Sequence, residues 1–134
     1  PKLPKNLKSL FLNCTINKDF EIPQELIYFG FEPMDIIDNN TSLTNTTSNK
    51  YKIINKSEFD KISEKIINSM QDSIEIFSTD LDISKYLINK LPKNLKEIAI
   101  FNRELTNSEF DFQDYFISNG CTNNFKNITI LVKN

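Results

Sequence analysis

The chain has 134 residues, with 16 lysines and arginines set against 18 aspartates and glutamates, for a formal net charge of -2. That length suits one domain, and charges so evenly mixed make no broad field for a phosphate backbone or an anionic membrane, so neither is an expected partner. Histidine is absent and there are only two glycines, which excludes a histidine base, a histidine-ligated metal and a glycine-rich phosphate loop.

The first element is announced by LPKNLKSLFLNC at Leu3–Cys14, a phrase that returns as LPKNLKEIAIFN at Leu91–Asn102. A shorter form, IPQEL at Ile22–Leu26, precedes IYFGF. In each, an apolar residue, a proline, two variable residues and a leucine lead into a short strand pattern. The inward candidates are Leu7, Leu10 and Leu12, then Leu26, Phe29 and Phe31, and later Leu95, Ile98 and Ile100. The polar, low-complexity stretch 38–50 offers little to a core and reads as a flexible loop. Tyr51–Ile54 suggests another strand.

SEFDKISEKIINSM predicts a helix with Phe59, Ile62, Ile66, Ile67 and Met70 on one face, Ser57 as its N-cap and Asp60 in the third helical position. SIEIFSTDL follows as a strand with Ile74 and Ile76 inward. Asp82 is the expected cap of a second helix carrying Ile83, Tyr86 and Leu87 inward, stopped by Pro92. A third helix is expected between Ser108 and Gly120, before a last strand with Phe125, Ile128 and Ile130 inward. Helix alternating with strand favours parallel strands with helical returns.

Leu7-x-x-Leu10-x-Leu12, Leu26-x-x-Phe29-x-Phe31 and Leu95-x-x-Ile98-x-Ile100 resemble the strand segment of leucine-rich repeats. LPKNL and IPQEL are similar to the LP-x-x-L openings of bacterial effector and FNIP-type repeats. The resemblance covers the first 31 residues and about 91–102. It implies an α/β chain, residues 1–134 forming one repeat-like domain: an irregular solenoid of short parallel strands and intervening helices. A unit with two or three inward leucines cannot stay dry alone, so stacked neighbours must complete its core. The near-continuous apolar runs IEIF, IAIF and ITILV also fit an alternative, a compact parallel sheet flanked by helices and covered on both faces.

Period two then sends Phe11, Gly30, Glu75, Ala99 and Thr129 outward, followed by a row of Asn13, Glu32, Phe77, Phe101 and Leu131. An exposed sheet face ending in apolar side chains is a natural protein-binding patch. The expected partner-binding residues are Phe11, Tyr28, Phe77, Phe101 and Leu131. The expected function is a non-enzymatic protein-interaction module without cofactor or metal. One alternative is a magnesium-dependent phosphate-processing enzyme using carboxylates such as Asp80 and Asp82. Another is an assembly subunit that self-associates through a sheet edge.

Cys14 and Cys121 lack metal or redox spacing and read as two buried thiols. The N-x-S/T triplets at Asn13 and Asn127 fall in predicted strands, where a glycan fits poorly. No apolar run approaches the ~20 residues that cross a bilayer, and a cytoplasmic location is expected.

Overall fold

A turn ending in a buried aliphatic residue precedes each of three strands in the principal sheet. The computed structural model describes residues 3–4, 6–38, 52–88, 91–101, 112–118 and 127–133. In chain order it contains β1 (Ser9–Leu12), β2 (Thr15–Asn17), β3 (Tyr28–Phe31), β4 (Asp35–Asp38), β5 (Lys52–Ile53), α1 (Lys56–Asn68), β6 (Ile76–Asp80), α2 (Leu81–Ser84), a 3₁₀ turn over Lys85–Ile88, β7 (Glu97–Phe101), α3 (Phe112–Ser118) and β8 (Thr129–Lys133). Five strands form one parallel sheet in the order β1-β3-β6-β7-β8, so neighbours in space follow the order of the chain. A second sheet, β2-β4-β5, joins β2 and β4 in parallel and adds β5 antiparallel.

The two copies of the LPKNL phrase sit at equivalent places on one sheet. Register runs Leu10–Phe29–Phe77–Ile98–Ile130 across the five strands, and Leu12–Phe31–Thr79–Ile100–Val132 two residues later. Extended back to the turns, the same register aligns Leu7, Leu26, Ile74 and Leu95. The backbone joins successive units in one recurring way. The Lys8 carbonyl accepts from the N–H groups of Ile27 and Tyr28, that of Ile27 from Glu75 and Ile76, and that of Glu75 from Lys96 and Glu97, all at 2.8–3.1 Å.

This register exposes a unit that the proline-bearing openings conceal. Met70-Gln71-Asp72-Ser73-Ile74 occupies the place of Ile22-Pro23-Gln24-Glu25-Leu26 and Leu91-Pro92-Lys93-Asn94-Leu95, with Gln71 where the others have proline. The Ile74 N–H donates to the Gln71 carbonyl at 3.1 Å, as that of Leu95 does to Pro92 at 3.2 Å. Side chains tie the turns together. Ser73 Oγ donates to the Leu26 carbonyl (2.8 Å), the Asp72 Oδ1 accepts from the Lys93 N–H (2.9 Å), and Asn94 Nδ2 donates to the Asp72 carbonyl (2.8 Å).

The core lies on one side of the principal sheet. Leu26, Phe29, Phe31, Ile74, Phe77, Ile98 and Ile100 are fully buried there, with Ile66, Ile67 and Met70 from α1 and its end, Ile83 and Leu87 from the next helical segment, and Ile16 and Ile36 from the second sheet. Phe29 stacks on Phe77 at 5.9 Å between ring centroids and on Phe31 at 5.7 Å. Thr79 is the polar member of its row. Its Oγ1 donates to the Phe31 carbonyl at 2.6 Å, so this buried hydroxyl is satisfied.

Several local expectations change. In β6 the inward residue is Phe77 and Ile76 turns outward, because Ile74 belongs to the turn and strand alternation begins only after it. At β8, Ile128 and Ile130 pack against the core as expected, and Val132 joins them as a buried member of the cluster; Phe125 lies outside the described residues. Helix α1 is capped by Asn55, whose side chain accepts from the Glu58 N–H at 2.9 Å, and not by Ser57. Buried Ile54 before that cap and Phe59 five residues later have the spacing of a hydrophobic staple, which fixes the earlier start. Helix α2 is capped by Asp80 rather than Asp82, since the strand passes into the helix without an intervening loop.

The Tyr51–Ile54 strand is represented by β5. Of the polar stretch, Asp38 ends β4 and residues 39–50 lie outside the described residues. The third helix is described at Phe112–Ser118; its expected limits, Ser108 and Gly120, fall outside, as does Cys121. Cys14 is exposed, not buried, because it lies in the turn between β1 and β2. Asn13 and Asn127 both fall just outside strands.

Candidate interaction surface

The face of the principal sheet opposite the core is built in three rows. Register places Ser9, Tyr28, Ile76, Glu97 and Thr129 in the first and Phe11, Gly30, Ser78, Ala99 and Leu131 in the second. Asp80, Phe101 and Lys133 belong to the third, with Glu32 one residue past the Phe31–Thr79 pair, beside Asp80. Ile66, Ile67, Ile83 and Leu87 of the helical segments and Ile16 and Ile36 of the second sheet belong to the core cluster, whereas Phe11, Ile76, Ala99, Phe101 and Leu131 stand apart from it.

The floor of this face is made of small residues. Gly30, Ser78 and Ala99 are adjacent in the central row and buried, although they face away from the core. Larger neighbours lean across them. A Cβ at Gly30 would run into Cδ1 of the Phe11 ring and come within 3.1 Å of the Tyr28 hydroxyl, so glycine is what lets the Phe11 ring lie this close to the strand. The Tyr28 hydroxyl donates to Ser78 Oγ at 3.0 Å. From the far side, Phe101 brings its ring to 6.3 Å from that of Phe11, tilted by 59°. The strands carrying these rings are separated by two others, a span of about 14 Å at ordinary strand spacing. Both rings must therefore lie inward over the floor. Phe11 remains 44% exposed.

The aromatic end of the face is acidic. Burial pushes the Asp80 carboxyl above the ordinary aspartate value, with Asp82 adding to the rise, while hydrogen bonds from the Ile83 and Asp82 N–H groups and the charge of Lys56 oppose it. Burial and the charge of Asp80 raise Glu32. The Tyr115 phenol on α3 is raised by burial and by Asp82 and Asp80, which places that tyrosine near the same end.

A folded-state pKa above the unfolded value means that the native state holds its proton longer. The associated stability is present below the ordinary carboxyl pKa, about 4, and is lost as pH rises through the raised values. Asp80→Asn keeps a side chain that caps helices as well as aspartate, so it should flatten the decline in thermal stability between about pH 4 and pH 7. At neutral pH it should leave the protein as stable as the parent or more so. Melting curves of both proteins across that range check this; a variant less stable at pH 7 with an unchanged slope would make the carboxylate net stabilising.

Of the five expected partner-binding residues, Phe11, Tyr28, Phe101 and Leu131 share this face. Phe77 does not: it points the other way and is completely buried, stacked on Phe29. Leu131 belongs to the row of Phe11 and Gly30, not to that of Phe101. Gly30 and Glu32, expected to face outward but not among the five, and Ser78, not expected there, complete the surface. Their only sequence signal is position, two or four residues beyond the strand entries, and that signal needs the correct register. Asp80 is engaged as a helix cap through its Oδ1, 2.8 Å from the Ile83 nitrogen, and Asp82 is exposed.

Comparison with protein-family models, with curated proteins and with solved structures gives no match. Among the described residues, no group of three or more cysteine, histidine or carboxylate side chains is placed to hold a metal ion, and no helix is long and apolar enough to cross a membrane.

Proposed function

We propose that this chain is a protein-interaction module: an irregular, leucine-rich-repeat-like stack of short coils that holds a protein partner on the outer face of its parallel sheet. One observation carries the reading. The outer face sets exposed and half-exposed aromatic rings over a floor of Gly30, Ser78 and Ala99, separate from the core on the other side. Rings that shield one another only in part gain by covering with a partner, while the hydrogen-bonded sheet beneath presents them at fixed spacing. The same reading takes the chain as cytoplasmic, where the exposed thiol of Cys14 stays reduced.

The test is a selection of peptides from a random display library on the folded protein. Phe11→Ala and Gly30→Ala should weaken the selected binders about tenfold or more, the latter by driving the Phe11 ring off the floor. Gly30→Ala should change stability by only about 1 kcal/mol, because the displaced ring is already at the surface. Substitution of Ile53 or Met34, exposed on other parts of the molecule, should leave binding unchanged. Binders that respond to Ile53 or Met34 and ignore Phe11 would refute the assignment.

A further inference from the structure

The outer face is not evenly apolar, and its charge says what kind of partner fits. Among the described residues, its three rows carry Glu97, Glu32 and Asp80, against one lysine, Lys133, on the edge strand. Glu32 and Asp80 are neighbours across β3 and β6, each only partly exposed. Lys56, whose charge acts on Asp80, donates to Asp60 at 3.3 Å and is itself well exposed, which leaves it a weak neutraliser of the pair. Phe101 is the register partner of Asp80 on β7, and Phe11 reaches over Gly30, two residues before Glu32 on β3. Two carboxylates therefore lie at the same end of the floor as two aromatic rings.

A lone apolar partner would strip water from Glu32 and Asp80 without compensating either charge, at a cost of several kcal/mol for an unpaired buried carboxylate. An acidic partner would add repulsion. A cation satisfies both halves of the arrangement, because carboxylates attract it directly and an aromatic face attracts it through the ring quadrupole. The uncharged remainder of the face, with Ile76, Ala99 and Leu131, calls for apolar and backbone groups beyond the charged head. A protein segment supplies these together.

Resting on the interaction-module reading above, we propose that the outer face binds a basic protein segment, one lysine or arginine head of which lies between the Glu32 and Asp80 carboxylates and the rings of Phe11 and Phe101. The site selects for positive charge, and the partly exposed Ile76 and Leu131 meet apolar parts of the segment beside it.

Fluorescein-labelled decalysine is the probe, with labelled decaglutamate as its counterpart and fluorescence anisotropy as the readout. The native protein should bind decalysine and not decaglutamate, with affinity falling as salt is raised. Glu32→Gln with Asp80→Asn should weaken decalysine at least about tenfold. Phe11→Ala with Phe101→Ala should weaken it about threefold or more. Glu21→Gln with Glu58→Gln, which changes net charge equally at exposed sites away from this face, should have little effect. Circular dichroism confirms that each variant is folded, and Asp80→Asn preserves the cap of α2. No decalysine binding, or equal losses in the two carboxylate pairs, overturns the proposal. If display-selected binders still need Phe11 but ignore Glu32 and Asp80, the cation site falls while the interaction face stands. If they ignore all four residues, both fall.

Discussion

Phe77→Ala should destabilise the protein by about 3–5 kcal/mol, the range for truncating a fully buried phenylalanine. Natural domains have only about 5–15 kcal/mol in total, so this substitution should move the urea midpoint far down or leave the chain unfolded. Phe77 sits in the central strand of five, flat against Phe29, with Ile98 as its register partner on the other side. Packing that is supported on both flanks relaxes poorly, and the cavity persists. Phe101→Ala removes a ring of the same size from the opposite face, where its aromatic contact is with half-exposed Phe11, and should cost about 1 kcal/mol. The contrast decides which face is core. Equal losses at the two positions would mean that the outer face is as load-carrying as the inner one, and the interaction reading would lose its basis.

The two phenylalanines follow almost the same string, Ile-Glu-Ile-Phe and Ile-Ala-Ile-Phe, and their opposite placement shows where sequence reading works and where it stops. The LPKNL phrase marks its two units because proline and leucine bracket a turn whose length is fixed. The strand after it can then be counted from a known start. The unit at Met70–Ile74 has the same turn without proline, and IEIF offers two frames: alternation beginning at Ile74, or a turn residue at Ile74 followed by alternation around Phe77. Period alone does not choose between them. The choice is made in three dimensions, by the N–H groups of Glu75 and Ile76 sharing the Ile27 carbonyl, which fixes where the strand starts.

A similar ambiguity governs the caps. Asn55 and Ser57 both precede carboxylates at capping spacing, and only burial of Ile54 against the core selects the earlier start. Of the second sheet only the Tyr51–Ile54 strand was legible, for another reason: with strands of three, four and two residues, its segments are too short for alternation to show. The acidic pair Glu32 and Asp80 could not be read either, since 48 residues separate them in the chain and their adjacency exists only once β3 and β6 are in register.

The leucine that closes each turn provides the sharpest measure of whether these units depend on one another. Leu7, Leu26 and Leu95 occupy the same place in the same local phrase, yet Leu26 is completely buried, Leu95 is 6% exposed, and Leu7 is only half-buried on the edge strand's unit. If a leucine were held by its own turn, truncation would cost the same in all three. If it is held by units above and below, Leu26→Ala should cost about 3–5 kcal/mol, Leu95→Ala about 2–4 kcal/mol, and Leu7→Ala about 1 kcal/mol, because a side chain at the end of a row leaves less void and loses fewer neighbours. Urea titration of the three variants at constant m-value measures the gradient. A graded result ties burial to position in the stack, since local sequence is nearly constant between the Leu7 and Leu95 phrases and only their surroundings differ. A flat result would leave each turn self-sufficient, and the recurrence of LPKNL would then have no bearing on how the sheet is held together.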